Sequence, residues 1–138
     1  MKWLVVIDRS EFSWKALERA VEMAKTEKAE LHILHVNEQH SDMLEYAPMV
    51  ELNKAFMEIG QELIEKAKAF AVSKGVDAKA HLAEGSSPAG GILGFMKDKG
   101  FDLLFVGSHG RGALEAFLLG SVAARLVRHS PCSVFVVR

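Results

Sequence analysis

A single cysteine, Cys132, excludes an internal disulfide framework and fits a reducing compartment. Three prolines among 138 residues leave no proline-rich linker to divide the chain, and no repeat or low-complexity tract interrupts it. Charge of one sign is also missing. The formal net charge is -1, so there is no global basic field to recruit nucleic acid or an anionic membrane. Local arginines, Arg111, Arg125 and Arg128, still suit a small anion. Long apolar runs are absent as well. The N-terminal run Trp3 to Ile7 stops at Asp8, shorter than a signal-peptide core and far short of the roughly 20 residues of a membrane span. These absences lead us to expect a soluble cytoplasmic protein, with 1–138 as one domain.

What is present is ordinary globular material, 49% hydrophobic and 25% charged, arranged in two alternating patterns. The runs "WLVVI" (3–7), "LHILHV" (31–36), "DLLFV" (102–106) and "SVFVV" (133–137) are nearly continuous in hydrophobicity. Strands covered on both faces read this way. "VDAKAHLA" (76–83) alternates instead, which predicts a half-exposed edge strand. Between these lie segments of helical period. Phe12, Ala16, Leu17, Ala20, Val21 and Ala24 share a face, with Ser10 or Ser13 as N-cap. A long helix runs from Pro48 through Leu52, Phe56, Ile59, Leu63, Ala67 and Phe70 to a stop near Gly75. A shorter one follows Pro88 and ends by Gly100, and the pattern predicts a fourth over 113–129. Residues 37–48 form the longest unstructured piece.

Strict β-α alternation implies right-handed crossovers and an open, mostly parallel five-stranded sheet with helices on both faces, an α/β fold. Ligands of such sheets bind beyond the carboxyl ends of the strands, where strand order reverses. "GSHGRGALEAFLLGS" (107–121) begins at one of those ends. It fails the Walker pattern, because Ala113 follows Gly112 where a lysine is required, and it fails the dinucleotide fingerprint at Glu115. What remains is Gly107, two residues, Gly110, nine residues, then Gly120-Ser121. Glycine lets backbone N–H groups approach phosphate oxygens, and Ser121 adds a hydroxyl donor.

This spacing resembles that of the universal stress protein family. So do "VVIDRSEFSWKALERA" (5–20), "LHILHV", "EGSSPAGGIL" (84–93) and "RHSPCSVFVV" (128–137), so the likeness spans essentially the whole chain. The resemblance implies a Rossmann-like, adenine nucleotide alpha hydrolase-like fold with strand order 3-2-1-4-5. It implies ATP as the ligand, with Mg or Mn brought by the phosphates rather than by protein ligands. It also implies a stress-response regulator that is a homodimer, and the last strand, Ser133 to Arg138, is the apolar edge expected to pair. Carried over by position, Asp8 contacts the adenosine and the Val36 backbone meets adenine. Gly107 and Gly110 underlie ribose and phosphates, and Gly120 and Ser121 hold the phosphates. His109 and Arg111 are further phosphate candidates. Ala123 departs from the family, some of whose members carry a phosphate-binding hydroxyl there, and Val6 stands where proline is frequent.

Each residue also has a plainer reading. Asp8 could cap the first helix, the loop glycines could only turn the chain, and Gly120 could serve helix packing at about 1 kcal/mol relative to Ala. His32 and His35 read as packed strand residues, His40, His81 and His129 lack metal-ligand spacing, Cys132 reads as structural, and Ser86 or Ser87 as a cap. No lysine sits in the loop and no acidic pair lies near it, so no catalytic residue is assigned. The expectation is a holder of nucleotide; a slow ATP hydrolase or phosphotransferase, or an interaction module that binds no nucleotide, are the alternatives.

Overall fold

In the computed structural model, residues 1–39, 47–110 and 119–138 are described. Five strands alternate with four helices: β1 (Lys2–Val6), α1 (Glu11–Glu27), β2 (Glu30–Glu38), α2 (Ala47–Ser73), β3 (Lys79–Gly85), α3 (Pro88–Met96), β4 (Leu103–Gly107), α4 (Ser121–His129) and β5 (Ser133–Val137). All strand pairs are parallel, in the order β3-β2-β1-β4-β5. The α/β class, the parallel sheet and the strand order are those expected.

The continuous apolar runs are explained by burial on both faces. Trp3, Val5, Ile7, Leu31, Ile33 and Phe105 pack with Ala16, Leu17, Ala20 and Val21 of α1 and Leu63, Ala67 and Ala71 of α2. Alternate residues, Leu4, Val6, Leu34, Val36, Leu104 and Val106, pack on the other face with Ile92 and Met96 of α3 and Ala123 and Leu126 of α4. Small residues on α1 let the helix axis come close to the sheet, and the side chains opposite fill the space.

Caps set the helix starts. Ser10, extended at φ -81 and ψ 150, accepts the Ser13 N–H and opens α1; Ser13 is inside the helix. Lys28 closes α1 in the left-handed region at φ 55. Ser87 accepts the Gly90 N–H at 3.1 Å, with Pro88 at the first turn of α3, where its missing N–H leaves no helical bond unmade.

Several boundaries differ from expectation, three of them by more than a residue at a site that matters here. The strand expected over 76–83 is β3, Lys79–Gly85. Val76 and Ala78 are buried before the strand starts, so their side chains extend its alternation without its hydrogen bonds. The loop expected over 37–48 gives Asn37 and Glu38 to β2 and Ala47 and Pro48 to α2. The helix expected over 113–129 begins at Ser121, because Gly120, at φ -58 and ψ 161, is its N-cap and not an interior residue. Leu114, Phe117 and Leu118, which carried the apolar pattern upstream, lie outside the described residues.

Candidate functional site

From β1 the chain steps outward through β2 to β3, then crosses back to lay β4 on the other side of β1. The strand order therefore reverses between β1 and β4, and the crevice at their carboxyl ends is lined by 8–10 on one side and 107–110 on the other. Asp8 is held there by local bonds. Its N–H donates to Ser13 Oγ at 3.0 Å, its carbonyl accepts from the Ser13 hydroxyl at 2.9 Å, and Oδ1 accepts the Ser10 N–H at 2.7 Å. Oδ2 is turned toward Gly110, where a Cβ would stand 3.4 Å away. Asp8 does not cap α1, and its two oxygens have different surroundings. Ser10 caps the helix, Oδ1 fixes the turn, and Oδ2 faces the loop.

The loop glycines have unequal reasons. A Cβ on Gly107 would lie 2.7 Å from the Phe12 carbonyl carbon and 2.9 Å from its Cβ. Gly107 is therefore required by the close approach of α1, apart from any ligand. Gly120 is packed on the loop itself, with a Cβ 3.1 Å from His109 Cα and 3.4 Å from the Gly110 nitrogen. Its N–H donates to Ser108 O at 2.7 Å, so that amide is engaged. The first α-helical bond of α4 runs from Ala124 N–H to Gly120 O, and no side chain caps the helix. The amides of Ser121, Val122 and Ala123 therefore form the positive end of α4, directly after the residue that packs on the loop. The departure at Ala123 removes a hydroxyl but not an amide.

His109 lies on Phe12, ring centroids 5.2 Å apart. Its Nδ1 bonds with Ser108 Oγ at 2.9 Å, and its buried Nε2 has no hydrogen-bond partner among the described residues. Arg111 lies outside the described residues. On the neighbouring strand, the β1–β2 ladder ends at Val6 and Leu34, closed by Ile7 N–H to Leu34 O at 2.9 Å. Peptide groups alternate sides along a strand, so those of Val36 point to the same edge as Leu34, past the end of β1. The Val36 side chain is buried against α3, where a Cβ on Gly91 would come within 2.5 Å of it. Only its backbone remains for a ligand.

Asp8, His109, Gly110 and Gly120 are thus brought together, with Ser121 following Gly120 and Val36 at the adjacent strand end. Ser108, fully buried, was not singled out in the sequence, yet it organises the loop. Its carbonyl takes the Gly120 N–H, its hydroxyl takes His109, and its own N–H donates to Val137 O at 2.7 Å. Serine in a glycine loop reads as solvent-facing, and only the fold shows it inside. Arg125 of α4, exposed, reaches Ser87 Oγ at 3.3 Å and adds positive charge near the first turns of α3 and α4. Cys132 packs on the α3/α4 side, its N–H bonded to Ser130 Oγ. Among the described residues no three His, Cys, Asp or Glu side chains are placed to hold a metal ion. No helix among them is long and apolar enough to cross a membrane.

The model of the universal stress protein family matches residues 1–138. The chain belongs to the universal stress protein family. It is 40% identical over 146 aligned residues to universal stress protein YxiE of Bacillus subtilis, covering 99% of this chain and 98% of that one. Among solved structures, universal stress protein UspA from Lactobacillus plantarum superposes with a TM-score of 0.88 at 25% identity, covering 100% of this chain and 97% of its own. A family protein from Arabidopsis thaliana, solved with AMP bound, superposes with a TM-score of 0.70 at 24% identity over 99% of this chain and 90% of its own.

Proposed function

We propose that this universal stress protein binds ATP at the β1/β4 crevice and acts as a nucleotide-responsive homodimer in the stress response, holding the nucleotide rather than turning it over. One observation carries the reading: Asp8 Oδ2 faces Gly110 while the uncapped first turn of α4 is packed against the same loop through Gly120. A carboxylate suits ribose hydroxyls, which donate to it, and a helix N-terminus suits phosphates. The Val36 peptide, beyond the end of β1, offers an N–H and a C=O side by side. That pair complements the acceptor and donor on the edge of adenine. His109 Nε2, oriented over Phe12, and Arg111 supplement the phosphate contacts. A magnesium or manganese ion would be held by phosphate oxygens, neutralising charge that the loop, without a lysine, leaves exposed.

The AMP-bound Arabidopsis protein shares the fold; the adenine nucleotide assignment here rests on this chain's own crevice. For the dimer, β5 is a sheet edge whose Val134 and Val136 peptide groups face away from β4.

The test is calorimetry with ATP, ADP, AMP and cyclic AMP on the wild type and on Gly110→Val. The wild type is expected to bind ATP, and the variant, whose side chain would extend into Asp8 Oδ2, to lose binding with an unchanged circular dichroism spectrum. No heat from any nucleotide at about 1 mM ligand would sink the proposal. Multiple turnovers with magnesium or manganese would replace holding by hydrolysis.

A further inference from the structure

At the opposite end of the sheet from the crevice, two histidines meet across neighbouring strands. His32 of β2 and His81 of the edge strand β3 lie with ring planes 7° apart, and His32 Nδ1 is 2.8 Å from His81 Nε2. His32 is 6% exposed. Its other nitrogen, Nε2, is 3.2 Å from Glu30 Oε1. Aromatic rings enclose the pair: Phe101 stands edge-on to His32 at 5.2 Å, and Phe95 of α3 lies 4.9 Å from His81.

The bonding order follows from the partners. An ionised carboxylate only accepts, so His32 Nε2 carries a proton and donates it to Glu30. In the neutral ring His32 Nδ1 is then an acceptor, and His81 Nε2–H donates to it. One added proton goes to His81 Nδ1, which leaves that bond intact. A second has only His32 Nδ1 to occupy. It would set two N–H groups and two positive rings against each other at hydrogen-bond distance.

The charged groups facing the pair sharpen this. Among the described residues Glu30 on β2 is the one acid in contact, and it also pairs with Lys79 of β3. Lys2 of β1 lies over the Phe101 ring at 4.7 Å, and Lys99, after α3, lies over Phe95 at 4.2 Å. Asp102 accepts the Lys2 backbone N–H. Three lysines against Glu30 and Asp102 oppose further positive charge. Burial, then neighbouring positive charge, pushes His81 below the ordinary value of 6.5; burial also lowers His32, partly offset by Glu30.

We propose that the His32–His81 pair is an acid-operated clasp: it ties the edge strand β3 to β2 when neutral or singly protonated, and the second proton breaks it and frees the first half of β3. The position of the pair gives the break its consequence. His81 faces Leu34 and Lys79 faces His32 in the β2–β3 register, near the beginning of a strand that has no neighbour on its other side among the described residues. Strands β1 and β4, in the centre of the sheet, are held from both sides and are not affected. The clasp lies apart from the crevice and stands whether or not that crevice takes ATP.

The test is amide hydrogen exchange by NMR on the full chain, stepped from about pH 7.5 to about pH 5, with ring nitrogen shifts followed in parallel. Exchange is expressed as protection relative to an unstructured chain at the same pH. Gly85 O accepts the Gln39 N–H, so Lys79, His81 and Ala83 face β2 in the same alternation. Protection of these three amides is expected to fall about tenfold per pH unit once the second ring proton binds, while β1 and β4 keep theirs. His81→Gln retains an N–H donor to His32 but takes up no proton, and its β3 protection is expected to stay level. A level β3 profile in the wild type, or a fall shared equally by all strands, overturns the clasp. So does a β3 fall in His81→Gln that matches the wild type. If that variant does not fold, the wild-type comparison of β3 with β1 and the ring shifts decides alone.

Discussion

At the scale of single residues, the glycine loop separates into two kinds of requirement. Gly107 is demanded by packing, since a Cβ there meets the Phe12 backbone at 2.7 Å, whereas among the described residues a Cβ on Gly110 meets only Asp8 Oδ2 at 3.4 Å. Gly107→Ala is therefore expected to destabilise the protein by about 1–3 kcal/mol without nucleotide present, the range for overfilled packing. Gly110→Ala is expected to leave stability nearly unchanged. Chemical denaturation of the two variants in nucleotide-free buffer makes the comparison; equal losses would place both glycines in the same structural role. Asp8 divides similarly, by oxygen. Asp8→Asn preserves an acceptor for the Ser10 N–H but replaces the carboxylate oxygen facing Gly110. Affinity for ATP is expected to drop about 10-fold or more, as for the loss of a hydrogen bond to a charged group, with little change in thermal stability. Titration calorimetry reads the first quantity and a melting curve the second.

At the scale of elements, helix ends and sheet edges carry the chemistry. Both α3 and α4 begin at the carboxyl end of the sheet, but α3 is capped by Ser87 while α4 begins on Gly120 with no side-chain cap. An uncapped first turn leaves its amides to a ligand or to water. The proposed dimer rests on β5. Val137 O accepts from Ser108 N–H, so residues 133, 135 and 137 face β4, and the peptide groups of Val134 and Val136 face the open edge. Val136→Pro removes an N–H from that open edge and none from the β4–β5 ladder, and proline is tolerated at edge positions of this kind. Sedimentation is expected to show the variant as a monomer that retains its fold. A variant that sediments as the wild type does would move the interface elsewhere.

At the scale of the whole molecule, stability should depend on pH through the buried His32 ring and the half-buried His81 ring. Both His32 and His81 hold their protons less readily in the fold than the ordinary value of 6.5. The unfolded chain therefore binds more protons than the native one just below that value. The histidine contribution to stability is complete above about pH 6.5 and is lost as the pH falls below it. Urea unfolding at a series of pH values is expected to show this loss, no steeper than the uptake of two protons allows, and shallower in His81→Gln. An unfolding free energy that rose on acidification from neutrality would contradict the sign.

The β-α alternation was determined by the sequence alone, because each element's burial pattern is local. A strand covered on both faces is apolar at nearly every position, as in "WLVVI" and "LHILHV", and a helix on a sheet is apolar at every third or fourth. The glycine spacing and its place after β4 were legible for the same reason. Element ends were less so. Apolar periodicity ran past Gly120, whose role as N-cap is set by its bond to Ser108, and the alternation of 76–83 began before its ladder did. Only the tertiary structure decided which atoms meet. The parallel crossovers bring Asp8 to Gly110 and His32 to His81, residues far apart along the chain, and they bury Ser108 beneath the loop it organises. Sequence periodicity records how each element faces the core, but it carries no term for which elements become neighbours.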